Sequence, residues 1–121
     1  MKKTKMLKKN YEFKNVLSKG KHFSGENIEA FIVKNKYDYN LLGLAISTKI
    51  GKAVKRNMVK RLIRENYKNI ENHINTGYSI VFLWKKKSDV KNALYYNIKN
   101  DMYSIFEKAE LINKEENWWK I

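Results

Sequence analysis

The sequence contains no cysteine and no proline. Without cysteine there is no disulfide framework and no thiolate metal site, which suits a reducing cytosol. Without proline, internal repeats or low-complexity tracts, nothing marks a domain boundary, and residues 1–121 read as a single domain. Histidine is sparse as well. His22 and His73 stand isolated and no carboxylates pair at metal-ligand spacing, so no catalytic side chain and no metal site is assigned to this chain.

Long apolar runs are also missing. No segment approaches the ~18 consecutive apolar residues of a membrane span. The basic start MKKTKMLKK offers only Met6 and Leu7 where a signal peptide needs an apolar stretch. The expectation is a cytoplasmic protein that does not enter a membrane. Acid is scarce too: 12 acidic residues face 26 basic ones, a formal net charge of +14. That excess points to a polyanionic partner, nucleic acid before an anionic membrane surface. With 43% hydrophobic residues the chain can still bury one core, so it is not read as a disordered tail.

The scarcest basic residue is the most informative. Only three of the 26 are arginines, Arg56, Arg61 and Arg64, and all fall within GKAVKRNMVKRLIRE at 51–65. The lysines are spread widely, as compositional bias would leave them. Arginine confined to one segment suggests a need for its planar fork of donors, which matches phosphate or a base edge.

Residues 52–69 read as a helix. With Arg56 at zero, Lys60 falls at roughly 40°, Arg64 at 80°, Asn57 at 100°, Lys68 at 120° and Arg61 at 140°. Val54, Met58, Leu62, Val59 and Ile63 occupy roughly 160–340° and are expected to dock on a sheet. Glu65, at roughly 180°, lies outside the basic arc. Like charges at Arg56, Lys60 and Arg64 repel at i, i+4 by several tenths of a kcal/mol per pair, which a phosphate backbone would offset. A solvated charged face is the plainer alternative for such a helix.

Elsewhere, Asn10 is expected to cap a short helix carrying Phe13, Val16 and Leu17, with Gly20 ending it. Residues 28–34 read as a strand with Ile28, Ala30 and Ile32 on one face and Glu29, Phe31 and Val33 on the other. Residues 41–48 are its expected antiparallel partner. The stretch 78–84 is apolar on both parities, as in a strand covered on both faces. A last helix is expected from Ser88, carrying Val90, Leu94, Ile98, Met102 and Ile105 or Phe106. The order α-β-β-α-β-α predicts an α/β two-layer sandwich around a small mixed sheet with a βαβ crossover. Residues 1–9 and 113–121 are expected to pack loosely, and no role is read for Trp118 and Trp119. A helix-turn-helix regulator would need a second helix where 41–48 reads as strand, and a membrane-surface peptide would not need the run at 78–84. A general RNA-binding module remains open on the residues alone.

KIGKAVKRNMVKRLIRENY at 49–67 resembles the signature helix of the bacterial ribonuclease P protein family, whose centre reads Arg-Asn-Arg followed by Lys-Arg. LKKNYEFKNVLSKG at 7–20 and LGLAIST at 42–48 resemble the family's flanking segments. The resemblance implies an accessory subunit, a monomer in a 1:1 ribonucleoprotein with a catalytic RNA. That RNA hydrolyses the 5′ leader from precursor tRNA with Mg²⁺, which it binds itself for the most part. It also implies a left-handed crossover joining two parallel strands, against the usual right-handed rule.

By the same resemblance Arg56, Asn57, Lys60, Arg61 and Arg64 face RNA, while Phe13, Leu17 and Phe31 line a cleft for the leader; Lys52, Lys55 and Lys68, basic residues of the same segment, are expected to bind RNA beside them. There, unstacked bases would lie on aromatic rings. Three residues depart from the family pattern. Met58 replaces the second arginine of the triplet, and Leu17 replaces an aromatic. Glu29 shares a face with Phe31, so either the strand register slips by one or that end of the cleft is less basic.

Overall fold

The computed structural model describes residues 3–112. Its elements are β1 (Thr4–Met6), α1 (Asn10–Lys19), β2 (Lys21–Ser24), β3 (Ile28–Lys34), β4 (Asn40–Leu44), α2 (Ala53–Ile70), β5 (Tyr78–Trp84) and α3 (Tyr95–Lys108). Short 3-10 turns precede α2 at 48–50, follow it at 71–73 and precede α3 at 90–92.

β5 is the central strand of a five-stranded sheet ordered β1-β4-β5-β3-β2. It pairs parallel with β4 and antiparallel with β3. This corrects the expected direct pairing of 28–34 with 41–48, since β5 lies between them. The strand with apolar residues on both parities takes the position with two neighbours and two covered faces. β4, α2 and β5 therefore form a βαβ unit on adjacent parallel strands, within the mixed α/β sheet expected.

Alternation then sorts the side chains. Ile28, Ala30, Ile32, Leu42, Ile80 and Phe82 bury against α2 and α3 through Val59, Ile63, Tyr67, Ile98, Met102 and Phe106. The opposite parity carries Phe31, Val33, Leu41 and Val81, which meet α1 through Val16 and Leu17. Helices α2 and α3 make the expected second layer, and α1 adds cover to the other face. β3 and β5 run over the predicted residues. α3 begins at Tyr95 rather than near Ser88, leaving Leu94 exposed at its N-cap, because Asp89 turns 90–92 into a 3-10 segment by accepting from the Lys91 N–H. α1, by contrast, starts one residue earlier than expected. Lys9 is the N-cap, its N–H bonded to the Glu12 carboxylate at 3.1 Å, and Asn10 is the first helical residue.

The expectation of a loose 1–9 segment is corrected at residues 4–7. Thr4 is buried and its hydroxyl lies 2.7 Å from the Tyr67 hydroxyl, which also accepts from Asn40 Nδ2 at 3.3 Å. Burial pushes the Tyr67 hydroxyl above the ordinary phenol range, so it stays neutral and joins β1, β4 and α2. The Leu7 N–H donates to the Leu42 carbonyl at 2.8 Å, and Leu7 is buried beneath α1. Residues 113–121, with Trp118 and Trp119, lie outside the described residues. β1 and β2 are short edge strands carrying lysines, which discourages pairing with another sheet.

Candidate nucleic-acid interface

α2 is an unusual helix at its start. Lys52 caps it without a side-chain hydrogen bond, and no acidic residue occupies the first turn. Positive side chains at a helix N-terminus oppose the helix dipole by a few tenths of a kcal/mol each, and the same charges favour an anion placed there. Gly51, at φ 155°, makes the bend into the helix in a conformation that side chains rarely adopt. Its carbonyl accepts from Arg56 Nη1 at 2.9 Å, so Arg56 also fixes this junction.

Lys52, Lys55, Asn57, Arg61, Arg64 and Lys68 are exposed, while Arg56 and Lys60 are half-buried at the margin of the core. The basic arc is thus brought to one outward face. The apolar arc is narrower than expected, with Val59, Ile63, Asn66, Tyr67 and Ile70 buried. Val54, expected to dock on the sheet, is 81% exposed. It belongs to the first part of the helix, where no side chain is fully buried, and it shares a shallow surface with Asn57, Met58, Arg61 and Arg64. Met58 packs partly against the core, as its departure from the arginine pattern suggests. Arg61 Nε is 3.8 Å from Glu65 Oε1, with side chains 65% and 49% exposed. An exposed pair of this kind contributes little and yields readily to a phosphate.

On the α1 side of the sheet, Phe13, Leu17 and Phe31 gather around Val81 with Ala45 and Leu83. Gly43 makes this possible, for a Cβ there would sit 2.6 Å from the edge of the Phe13 ring. Gly43→Ala is expected to displace Phe13 and cost about 1–3 kcal/mol by overpacking. Thermal unfolding reads this cost, and an unchanged transition would show that the ring moves aside freely.

The β3 register does not slip. Glu29 shares the Phe31 face, and His22 Nε2 lies 3.4 Å from Glu29 Oε1 while its ring centroid is 4.9 Å from that of Phe31. The carboxylate that would repel a polyanion has an imidazole beside it.

Parallel β4 and β5 end toward Ala45 and Lys85, and ligands of α/β sheets collect outside such carboxyl ends. Lys85–Lys87 follow β5 directly. Lys86 and Lys87 are exposed, whereas Lys85 Nζ donates to Ser24 Oγ at 2.8 Å and the Gly25 carbonyl at 3.0 Å. These lysines were not singled out from the sequence, although three in a row after a buried strand was the available signal. Among the described residues no three His, Cys, Asp or Glu gather into a cation site. The phenylalanines, leucine and lysines of the cleft are also poor partners for Mg²⁺, which takes oxygen ligands.

Comparison with known proteins identifies the family and its fold. The Ribonuclease P family model matches residues 1–110. The ribonuclease P protein component of Clostridium botulinum (strain 657 / Type Ba4) is 38% identical over 108 residues, covering 88% of this chain and 96% of the relative. That of Clostridioides difficile (strain 630) is 38% identical over 109 residues, covering 89% and 94%. Among solved structures, the Staphylococcus aureus RNase P protein superposes with a TM-score of 0.78 at 30% identity, covering 89% of this chain and 97% of that one. The RNase P protein from Thermotoga maritima gives 0.77 at 25% identity, covering 86% and 96%.

Proposed function

This chain belongs to the bacterial ribonuclease P protein family, as the protein subunit of the endoribonuclease that matures tRNA 5′ ends, and from that premise we propose how its surfaces divide the work. Its partner is the ribonuclease P RNA.

The basic face of α2 takes phosphates of that RNA. Arg61 and Arg64 supply forked donors, Lys52, Lys55, Lys60 and Lys68 supply point charges, and Asn57 offers an amide to a base edge or backbone oxygen. The cleft of Phe13, Leu17 and Phe31 takes the single-stranded leader of precursor tRNA by stacking and apolar contact, with the exposed lysines at the carboxyl ends of β4 and β5 against its phosphates. Hydrolysis belongs to the RNA subunit with its Mg²⁺. The protein contributes by holding the leader and lowering repulsion between two polyanions. One protein serves one RNA, in the cytoplasm.

One observation carries this division. Every arginine lies on the outer side of α2, while the partly exposed phenylalanines lie on the opposite side of the sheet. Two surfaces with different chemistry suit two different nucleic acids.

Phe13→Leu keeps an apolar side chain over Gly43 and removes the ring. In the assembled holoenzyme it is expected to weaken precursor tRNA by roughly five- to a hundredfold, the range of one lost base stack, and to leave mature tRNA unchanged. Equal losses on both tRNAs would return Phe13 to a purely packing role.

A further inference from the structure

A second groove flanks α1 near the start of β4 and β5, where the chain turns from β3 to β4. Its floor is Leu7, Val16, Val33 and Leu41, and its walls carry Tyr11, Tyr37, Lys19, Lys34 and Lys36. None of the walls belongs to the Phe13 cleft.

The turn at 35–39 is fixed by one side chain. Asn35 Oδ1 accepts from the Tyr37 N–H at 2.8 Å, while Asn35 Nδ2 donates to the Tyr39 carbonyl at 3.4 Å and to Ser79 Oγ at 3.3 Å. On this frame Tyr37 and Tyr39 stack, with centroids 4.8 Å apart and planes 15° from parallel, and Lys5 Nζ lies 4.5 Å from the Tyr39 centroid. The result is a column of ammonium, ring and ring. Tyr37 ends the column and remains 53% exposed. An aromatic ring held rigidly with a surface left to water is suited to continue its stack onto a nucleobase. Lys34, Lys36 and Lys19 stand around it for phosphates. The lone acidic wall, Glu12, already accepts from the Lys9 N–H at α1.

The groove and the Phe13 cleft lie on the same side of the sheet, along the two flanks of α1, and α2 lies on the other side. An RNA strand leaving the cleft can therefore reach the groove without passing the arginine face. Resting on the leader assignment above, we propose that the groove of Tyr37, Lys34 and Lys36 is a second single-stranded RNA subsite. It would receive the part of a long precursor leader that lies upstream of the nucleotides in the Phe13 cleft.

The test uses the holoenzyme and precursor tRNAs whose leaders lengthen stepwise at the 5′ end. Tyr37→Ala is expected to lower affinity by roughly five- to tenfold for the longest leaders and not for the shortest, the size of one stacking contact. Tyr37→Phe is expected to keep the affinity, since the ring is what stacks. Lys34→Gln with Lys36→Gln should flatten the salt dependence by about one per lost phosphate contact, again for long leaders alone. Unfolding temperatures of these exposed variants serve as the control. Losses shared by short leaders or mature tRNA would mean that the groove meets the RNA subunit or the tRNA body, and would overturn the proposal. So would no loss with any leader. Phe13→Leu on the short leaders tests the cleft separately, so failure of one subsite is distinguishable from failure of the other.

Discussion

Replacing Arg61 and Arg64 together with alanine is expected to lower affinity for the ribonuclease P RNA by about two orders of magnitude near 0.1 M salt. Each phosphate contact contributes about 0.9 to the slope of log affinity against log salt, which is roughly tenfold in affinity at that concentration. The slope should become shallower by about two. Both side chains are exposed, so the unfolding temperature should hardly move. Arg61→Lys with Arg64→Lys separates charge from shape, since it should restore most of the slope and only part of the affinity if the guanidinium fork matters. Titrations at several salt concentrations read both quantities, and an unchanged slope in the alanine pair would remove α2 from the RNA contact. Arg56 is a less clean probe, because its Nη1 also holds the Gly51 carbonyl.

The largest effect on stability is expected at a buried carboxylate. Asp101 on α3 is 6% exposed and its carboxylate accepts from the backbone N–H groups of Glu26 at 3.1 Å, Asn27 at 2.7 Å and Ile28 at 3.1 Å. It ties the β2–β3 turn to α3, and Gly25 lets it approach, since a Cβ there would sit 2.7 Å from the Asp101 carboxyl carbon. Asp101→Ala strips these donors of their acceptor while they stay largely buried, at about 1–3 kcal/mol per unsatisfied group before relaxation and water entry. The expected net loss is about 3 kcal/mol, or roughly 10 °C in Tm for a domain of this size. RNA affinity measured well below the transition should be unchanged. A Tm within a degree or two of wild type would mean that water replaces the carboxylate at little cost.

How much of this was legible in the sequence depends on the length and contrast of each segment. α2 was readable because eighteen residues give five turns, over which a 3.6-residue period separates the basic from the apolar side. β3 is readable because its seven residues alternate, and β5 because its seven form an unbroken apolar run. β1 and β2 were not, for Thr4–Met6 places only Thr4 and Met6 inward, and Lys21–Ser24 offers a single inward aromatic in Phe23. A polar threonine reads as core only when Tyr67, sixty-three residues away, is known to take its hydroxyl.

The strand order was hidden for a similar reason. Periodicity says which face is covered and not which strand is the neighbour, so it does not reveal that β5 lies between β3 and β4. Val54 stays in solvent because a helical wheel places a residue around the axis and not along it, and only the part of α2 from Val59 onward buries side chains. Phe13, Leu17 and Phe31, proposed for the leader, are indicated by resemblance. Their convergence depends on Gly43, on which neither composition nor spacing bears.

The absence of cysteine supplies the most direct test of the two-surface account. A single introduced cysteine is unique in this chain, so Asn57→Cys on α2 and Leu17→Cys in the cleft can each carry one photo-cross-linker into a holoenzyme bound to precursor tRNA. Position 57 is expected to cross-link to the ribonuclease P RNA and position 17 to the 5′ leader. Both positions capturing the same RNA, or the two exchanging targets, would contradict the two-surface account.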